Sequence, residues 1–211
     1  MTAERTRQPT FTETARRAQI VQAAIETIAE LGYPRASYAQ IAKRAGLSST
    51  GLISYHFARK DELIEQVLTD VWTASQAFML LRIDAAAGAR TKLRAYIESN
   101  VEFMATHRPG IAAVLHISNA LPRDPDGEPN SYATRYEQGL VQLEGLLRAG
   151  QRSGELRRFS TRVMAVTIRG AVDSVGYRLA TEPDVEMDAY ARELATLFDH
   201  ATRSEANRKE T

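Results

Sequence analysis

Apolar residues return every three or four positions along almost all of this chain, and no stretch alternates apolar with polar residues between turn signals. A helix, at about 3.6 residues per turn, brings such positions round to one face; a half-buried strand needs every second one. The fold class is therefore all-α. Ile20, Val21, Ala24, Ile25, Ile28 and Leu31 mark one side of a helix over 14–31, which Gly32 caps and Tyr33-Pro34 stops. A second helix opens at Ser37, with Gln40 placed for a capping box, and ends at Gly46. A third runs from about Ser49 to Phe57. Longer stripes follow, from Leu63 to Met79, Leu93 to Met104, Ile111 to Leu115, Tyr136 to Leu147, Met164 to Leu179 and Tyr190 to Ala201. Between them, 122–131 has three prolines, one glycine and no apolar residue, so it reads as a loop. The polar end, 204–211, is expected to fray.

Composition shows a division that the average hides. The 211-residue chain has a net charge of +1, yet residues 1–60 hold nine basic and four acidic side chains, and the rest is acidic overall. A basic head on an acidic body predicts a polyanion-binding module over 1–60, with an arm over about 1–12, and a second module over 61–211. The absence of cysteine excludes disulfides, thiolate zinc sites, iron–sulfur clusters and cysteine nucleophiles. His56, His107, His116 and His200 form no HExxH pattern and no i,i+4 pair. No phosphate-binding glycine loop, nucleophile elbow or dinucleotide fingerprint is present. No catalytic residue, metal or cofactor is assigned, and an enzyme is not expected. With no signal-like run in the first twenty residues and no apolar stretch near the ~20 residues of a membrane span, a cytoplasmic chain with no membrane partner is expected.

The two short helices at 37–57, joined by a tight glycine-containing turn, carry the most specific chemistry. A helix-turn-helix needs one helix to brace a second whose N-terminal end enters the DNA major groove. The residues expected to face DNA are Ser48, Ser49, Thr50, Gly51, Ser54, Tyr55 and His56, with Leu52, Ile53 and Phe57 packing inward. Hydroxyls and helix-start amides suit phosphate, and few side chains here are long enough for bidentate base reading. Specificity is thus expected from phosphate, methyl and shape contacts together. Ser37 reads as a cap, as a backbone contact or as both, Tyr38 is placed for phosphate at the first turn of the bracing helix, and Lys60 reads as a further phosphate ligand or as a surface lysine. Arg16 and Arg17 divide evenly between phosphate and a solvated helix start. Arg5 and Arg7 divide likewise between a minor-groove arm and a free tail.

Residues 20–68 resemble the TetR family of transcriptional regulators. The likeness rests on Tyr33 after the first helix, Ile41-Ala42 with Ala45-Gly46 in the second, Tyr55-His56-Phe57 closing the third and Lys60-Asp61-Glu62-Leu63 opening the fourth. Two features depart from the commonest pattern: the turn over Gly46–Gly51 is one residue longer, and Ser54 replaces a tyrosine two positions before the histidine. The resemblance implies a homodimer on a roughly palindromic double-stranded operator. It also implies repression relieved by a small effector bound in a helical body, with the fourth helix as lever.

Polar residues that interrupt apolar stripes in the body are candidates for an effector pocket: Asn100, His116, Asn119, Asp173 and Tyr177. Each also reads as a satisfied structural group, and Arg169–Asp173 as an ordinary i,i+4 ion pair. Trp72, Phe78, Phe103, Met104 and Tyr136 serve equally as cavity wall or plain core, so a largely apolar or aromatic effector is expected. The small residues Gly170, Ala171, Ser174 and Gly176, with Leu194 and Phe198 on the last helix, are candidates for the dimer interface, or for tight packing within one subunit. The rival reading is a helical protein–protein adaptor that binds no DNA. It leaves the basic head and hydroxyl-rich helix without a role.

Overall fold

The computed structural model describes residues 10–121, 130–182 and 185–204. Arg5, Arg7, residues 122–129 of the proline-rich stretch and most of the 204–211 tail lie outside the described residues. Among the described residues, nine α-helices account for almost all the regular structure: α1 (Phe11–Leu31), α2 (Tyr38–Arg44), α3 (Gly51–His56), α4 (Lys60–Ala85), α5 (Ala89–Thr106), α6 (Arg108–Ala120), α7 (Ser131–Ser153), α8 (Thr161–Thr181) and α9 (Met187–Thr202). None is long and apolar enough to cross a membrane.

Local signals set most of these boundaries. Thr10 and Glu13 form a reciprocal capping box, so α1 starts at Phe11, inside the segment expected to be an arm. At its other end Gly32 adopts φ 80° and its N–H reaches the Ile28 carbonyl at 2.8 Å. A side chain would strain that conformation. Ser37 and Gln40 make the expected box at the start of α2. The third helix is shorter than its pattern suggests, because Ser49 and Thr50 belong to the connection and Phe57 has already turned to extended backbone.

Two apolar cores result. The head core joins Ile20, Ile28, Ile41, Ile53 and Phe57, all fully buried, to Leu63, Ile64, Val67 and Leu68 of α4 and Ala113 and Ile117 of α6. Each such large side chain contributes about 1.5–3 kcal/mol of burial, so the head core extends beyond residue 60 on firm energetic grounds. The body core is built on α5, which packs against α4, α7, α8 and α9. Arg90 grips Asp199 of α9 through two bonds of 2.9 and 3.0 Å. Gly150 lets α7 close on this core, since a Cβ there would lie 2.5 Å from Leu156 and 2.7 Å from Ala89.

Candidate nucleic-acid interface and body cavity

In the head, Ile53 and Phe57 anchor α3 from beneath and turn its other side outward. Ser48, Ser49, Thr50, Gly51, Ser54 and Tyr55 are exposed or partly so, Tyr55 by 74 %, and His56 is half-buried edge-on to the Tyr55 ring. Leu52, expected to pack inward, is 39 % exposed. On a helix of one and a half turns, Ile53 alone faces the core, and its neighbour is carried about 100° away.

Polar contacts fix the angle at which this helix is held. Arg17 donates to the His56 carbonyl, lies 4.1 Å over the Phe57 ring and reaches Glu62 at 3.4 Å. Glu62 in turn accepts from the Ala58 amide at 2.9 Å. Arg17 thus ties α1, α3 and α4 together. Arg44 does the same between α2 and α1 through Glu26 and Glu30. Lys60 stands 4.8 Å over the Tyr33 ring at the first turn of α4. Ser37 is exposed, whereas the Tyr38 hydroxyl is enclosed without a hydrogen-bond partner among the described residues. Burial first, then Glu62 and Asp61, push its pKa up.

The body encloses two adjoining chambers that share Gln76, Met79 and Arg169. The inner one, of about 100 Å³, gathers Trp72, Asn100, Phe103, Met104, Tyr136 and Asp173. The outer, of about 470 Å³, lies between α4, the start of α5, and α7, and reaches the surface past half-exposed Leu80. Where they meet, Arg169 Nε contacts Asp173 at 2.9 Å, and its guanidinium lies 5.5 Å from the Tyr136 ring. Burial raises the Asp173 carboxyl above its ordinary range, only partly offset by Arg169 and Tyr136. Burial opposes the Arg169 charge, but Tyr96 and Asp173 more than compensate, so the guanidinium stays protonated. Asn100 is partly satisfied by its own helix, donating to the Tyr96 carbonyl at 2.8 Å.

Other expected residues fall elsewhere. His116, Asn119 and Tyr177 border a separate hollow of about 240 Å³ between α6 and α8. The His116 ring also lies against Gly32, where α6 meets the end of α1. Phe78 lines neither chamber and packs with Phe103, His107 and Arg82. Tyr132, Met79 and Gln76 also line the cavity and were not expected in it. Their apolar or neutral character gave no sign that distinguished wall from core.

Gly170 is exposed, Ala171 and Ser174 are half-buried, and Gly176 packs against Leu115 and Ile111 of the same chain. Leu194 and Phe198 belong to the chain's own core. The open side of α8 instead shows Val163, Val166, Gly170 and Tyr177 at helical spacing, with Leu197 exposed on α9.

Comparison with known proteins agrees with this arrangement. Residues 20–67 match the model of bacterial regulatory proteins of the tetR family, and residues 86–202 match a tetracyclin repressor-like C-terminal domain. An HTH-type transcriptional regulator BetI of Paraburkholderia xenovorans is 32 % identical over 187 residues, 76 % of this chain and 93 % of that one. Among solved structures, a transcriptional regulator from Saccharomonospora viridis in complex with choline superposes with a TM-score of 0.75 at 20 % identity, over 91 % of this chain and all of the other. FadR from Bacillus subtilis in complex with stearoyl-CoA gives 0.73 at 24 % identity, over 85 % and 96 %. With both halves of the chain matched and a relative aligned along nearly its full length, this protein belongs to the TetR family of bacterial transcriptional regulators.

Proposed function

We propose that this regulator represses transcription as a homodimer on a two-fold symmetric operator and leaves the DNA when a small, mostly apolar effector enters the body cavity. The head over 1–60 reads DNA through Ser48, Ser49, Thr50, Gly51, Ser54, Tyr55 and His56, with Ser37 and Lys60 on phosphate. The observation that carries the reading is the hydroxyl-rich surface formed by the connection over Ser48–Thr50 and the outer side of α3, held on Ile53, Phe57 and Arg17. Tyr38 joins the phosphate contacts only if its enclosed hydroxyl turns outward. The body over 61–211 pairs through the open side of α8, where Gly170 and Ser174 lie among Val163, Val166 and Tyr177.

Two helices support coupling between the modules. α4 contributes Leu63, Ile64, Val67 and Leu68 to the head core and Trp72 and Met79 to the cavity. α6 contributes Ala113 and Ile117 to the head core, while Ile111, Val114 and Leu115 line the inner chamber. A ligand that prefers another position of these helices changes the separation of the two heads. Their recognition helices must stand about 34–36 Å apart to meet successive major grooves.

The test is selection from a random DNA pool at two salt concentrations. A recovered palindrome with steep loss of affinity at high salt is expected, because phosphate contacts release counterions. No enriched sequence at low salt would contradict the proposal and favour an adaptor.

A further inference from the structure

Arg169 is 16 % exposed and borders both chambers, and its hydrogen bond of good geometry runs from Nε to Asp173. Neither Nη group donates in good hydrogen-bond geometry to another described residue, the Tyr96 hydroxyl beside it included. A guanidinium presents five N–H donors in a fixed fork, and its Nη side matches a planar acceptor such as a carboxylate. The Tyr96 hydroxyl lies beside the same guanidinium, is buried, and has no hydrogen-bond partner of good geometry among the described residues. Away from this polar end Met79, Ile83, Leu143 and Leu146 supply apolar wall, with Lys92 and Glu155 at the α5 end of the chamber.

We propose that the effector is an amphipathic organic acid, its carboxylate on the Nη groups of Arg169 beside the Tyr96 hydroxyl and its apolar body along α4 and α7. The proposal rests on the cavity being the effector site. A cationic head group is disfavoured even though aromatic rings surround the inner chamber. The protein's own guanidinium already stands on the Tyr136 ring, and a second cation beside it would be repelled. The binding of choline by a structural neighbour therefore does not carry over to this cavity. Asp173 does not block an acid, because it holds the Nε edge of the guanidinium and leaves the Nη side to the chamber.

Trp72, the chain's single tryptophan, lines the inner chamber and reports binding without a label. Its emission is to be followed on the DNA-free protein titrated with decanoate, decanol and decyltrimethylammonium, all below their micelle concentrations. Decanoate is expected to bind at least about tenfold more tightly than the other two, the gain of a charge-assisted bond. The double variant Arg169→Gln/Asp173→Asn replaces the buried ion pair by two amides and should lose that preference while keeping its affinity for decanol. Tyr96→Phe removes one hydroxyl and should weaken decanoate alone, by about three- to tenfold; it decides the matter if the double variant does not fold. Equal or tighter binding of the ammonium or the alcohol would overturn the proposal. So would no binding by any probe, or a preference for decanoate that survives both variants. Because no DNA is present, failure here leaves the DNA-binding reading standing, and failure of operator selection leaves this result intact.

Discussion

The head and the body are both helical, yet they use their apolar residues differently. In the head, Ile20, Ile28, Ile41, Ile53 and Phe57 close on one another with no exposed surface, and the arginines that tie its helices together are paired: Arg17 with His56 and Glu62, Arg44 with Glu26 and Glu30. In the body, Trp72, Met79, Met104 and Tyr136 border open space, and a charged pair sits among them. A rigid reading surface needs one packing solution. On the proposed reading, the ligand-responsive module is the one whose core is left incompletely filled.

The contrast breaks if large side chains in the two regions cost the same to remove. Phe57→Ala should lower stability by about 3–5 kcal/mol in denaturant unfolding, because its ring is wholly enclosed by the head core. Trp72→Ala should cost about 1–2 kcal/mol, because part of its ring already faces the chamber. Equal losses would mean that the body is as tightly packed as the head.

Smaller effects sharpen the picture within the body. The Asp199 carboxyl is held below its ordinary range, chiefly by its hydrogen bonds from Arg90, whereas burial lifts Asp173. A lowered carboxyl adds stability above its unfolded pKa and loses it as pH falls through the folded value; a raised one does the reverse. The α5–α9 clamp should therefore weaken on acidification below the usual carboxylate range. Asp199→Asn should remove about 1 kcal/mol at neutral pH and flatten the acid limb of a melting-temperature profile. An unchanged acid limb would show that the clamp does not couple to protonation.

The helical architecture was legible in the sequence because each stripe buries one face, and Ser37 with Gln40 and Gly32 supplied the punctuation. The start of α1 was equally readable in Thr10 and Glu13, but its apolar stripe begins only at Ile20 and so places the boundary late. Trp72, Asn100, Phe103, Met104, Tyr136 and Asp173 meet in one chamber because each lies on the inward stripe of its helix. Tyr177 follows Asp173 by four residues, yet four steps of about 100° overshoot a full turn by about 40°, enough to bring it out beside α6. Arg169 reads from the sequence as a pocket candidate one turn before Asp173 or as its ion-pair partner. That its Nη side is left over depends on the spacing of α5, α7 and α8, which no local pattern encodes.

The assignment of α3 as the reading helix is tested most directly by measuring Thr50→Ala and Lys60→Ala on the selected operator and on a scrambled duplex. Lys60→Ala should weaken both duplexes to a similar degree and reduce the salt slope, since it removes a phosphate contact. Thr50→Ala should weaken the operator by about fivefold or more and barely affect the scrambled duplex, since a lost base contact is worth about 1–3 kcal/mol. Equal losses on both duplexes from the two variants would contradict the placement of α3 in the groove.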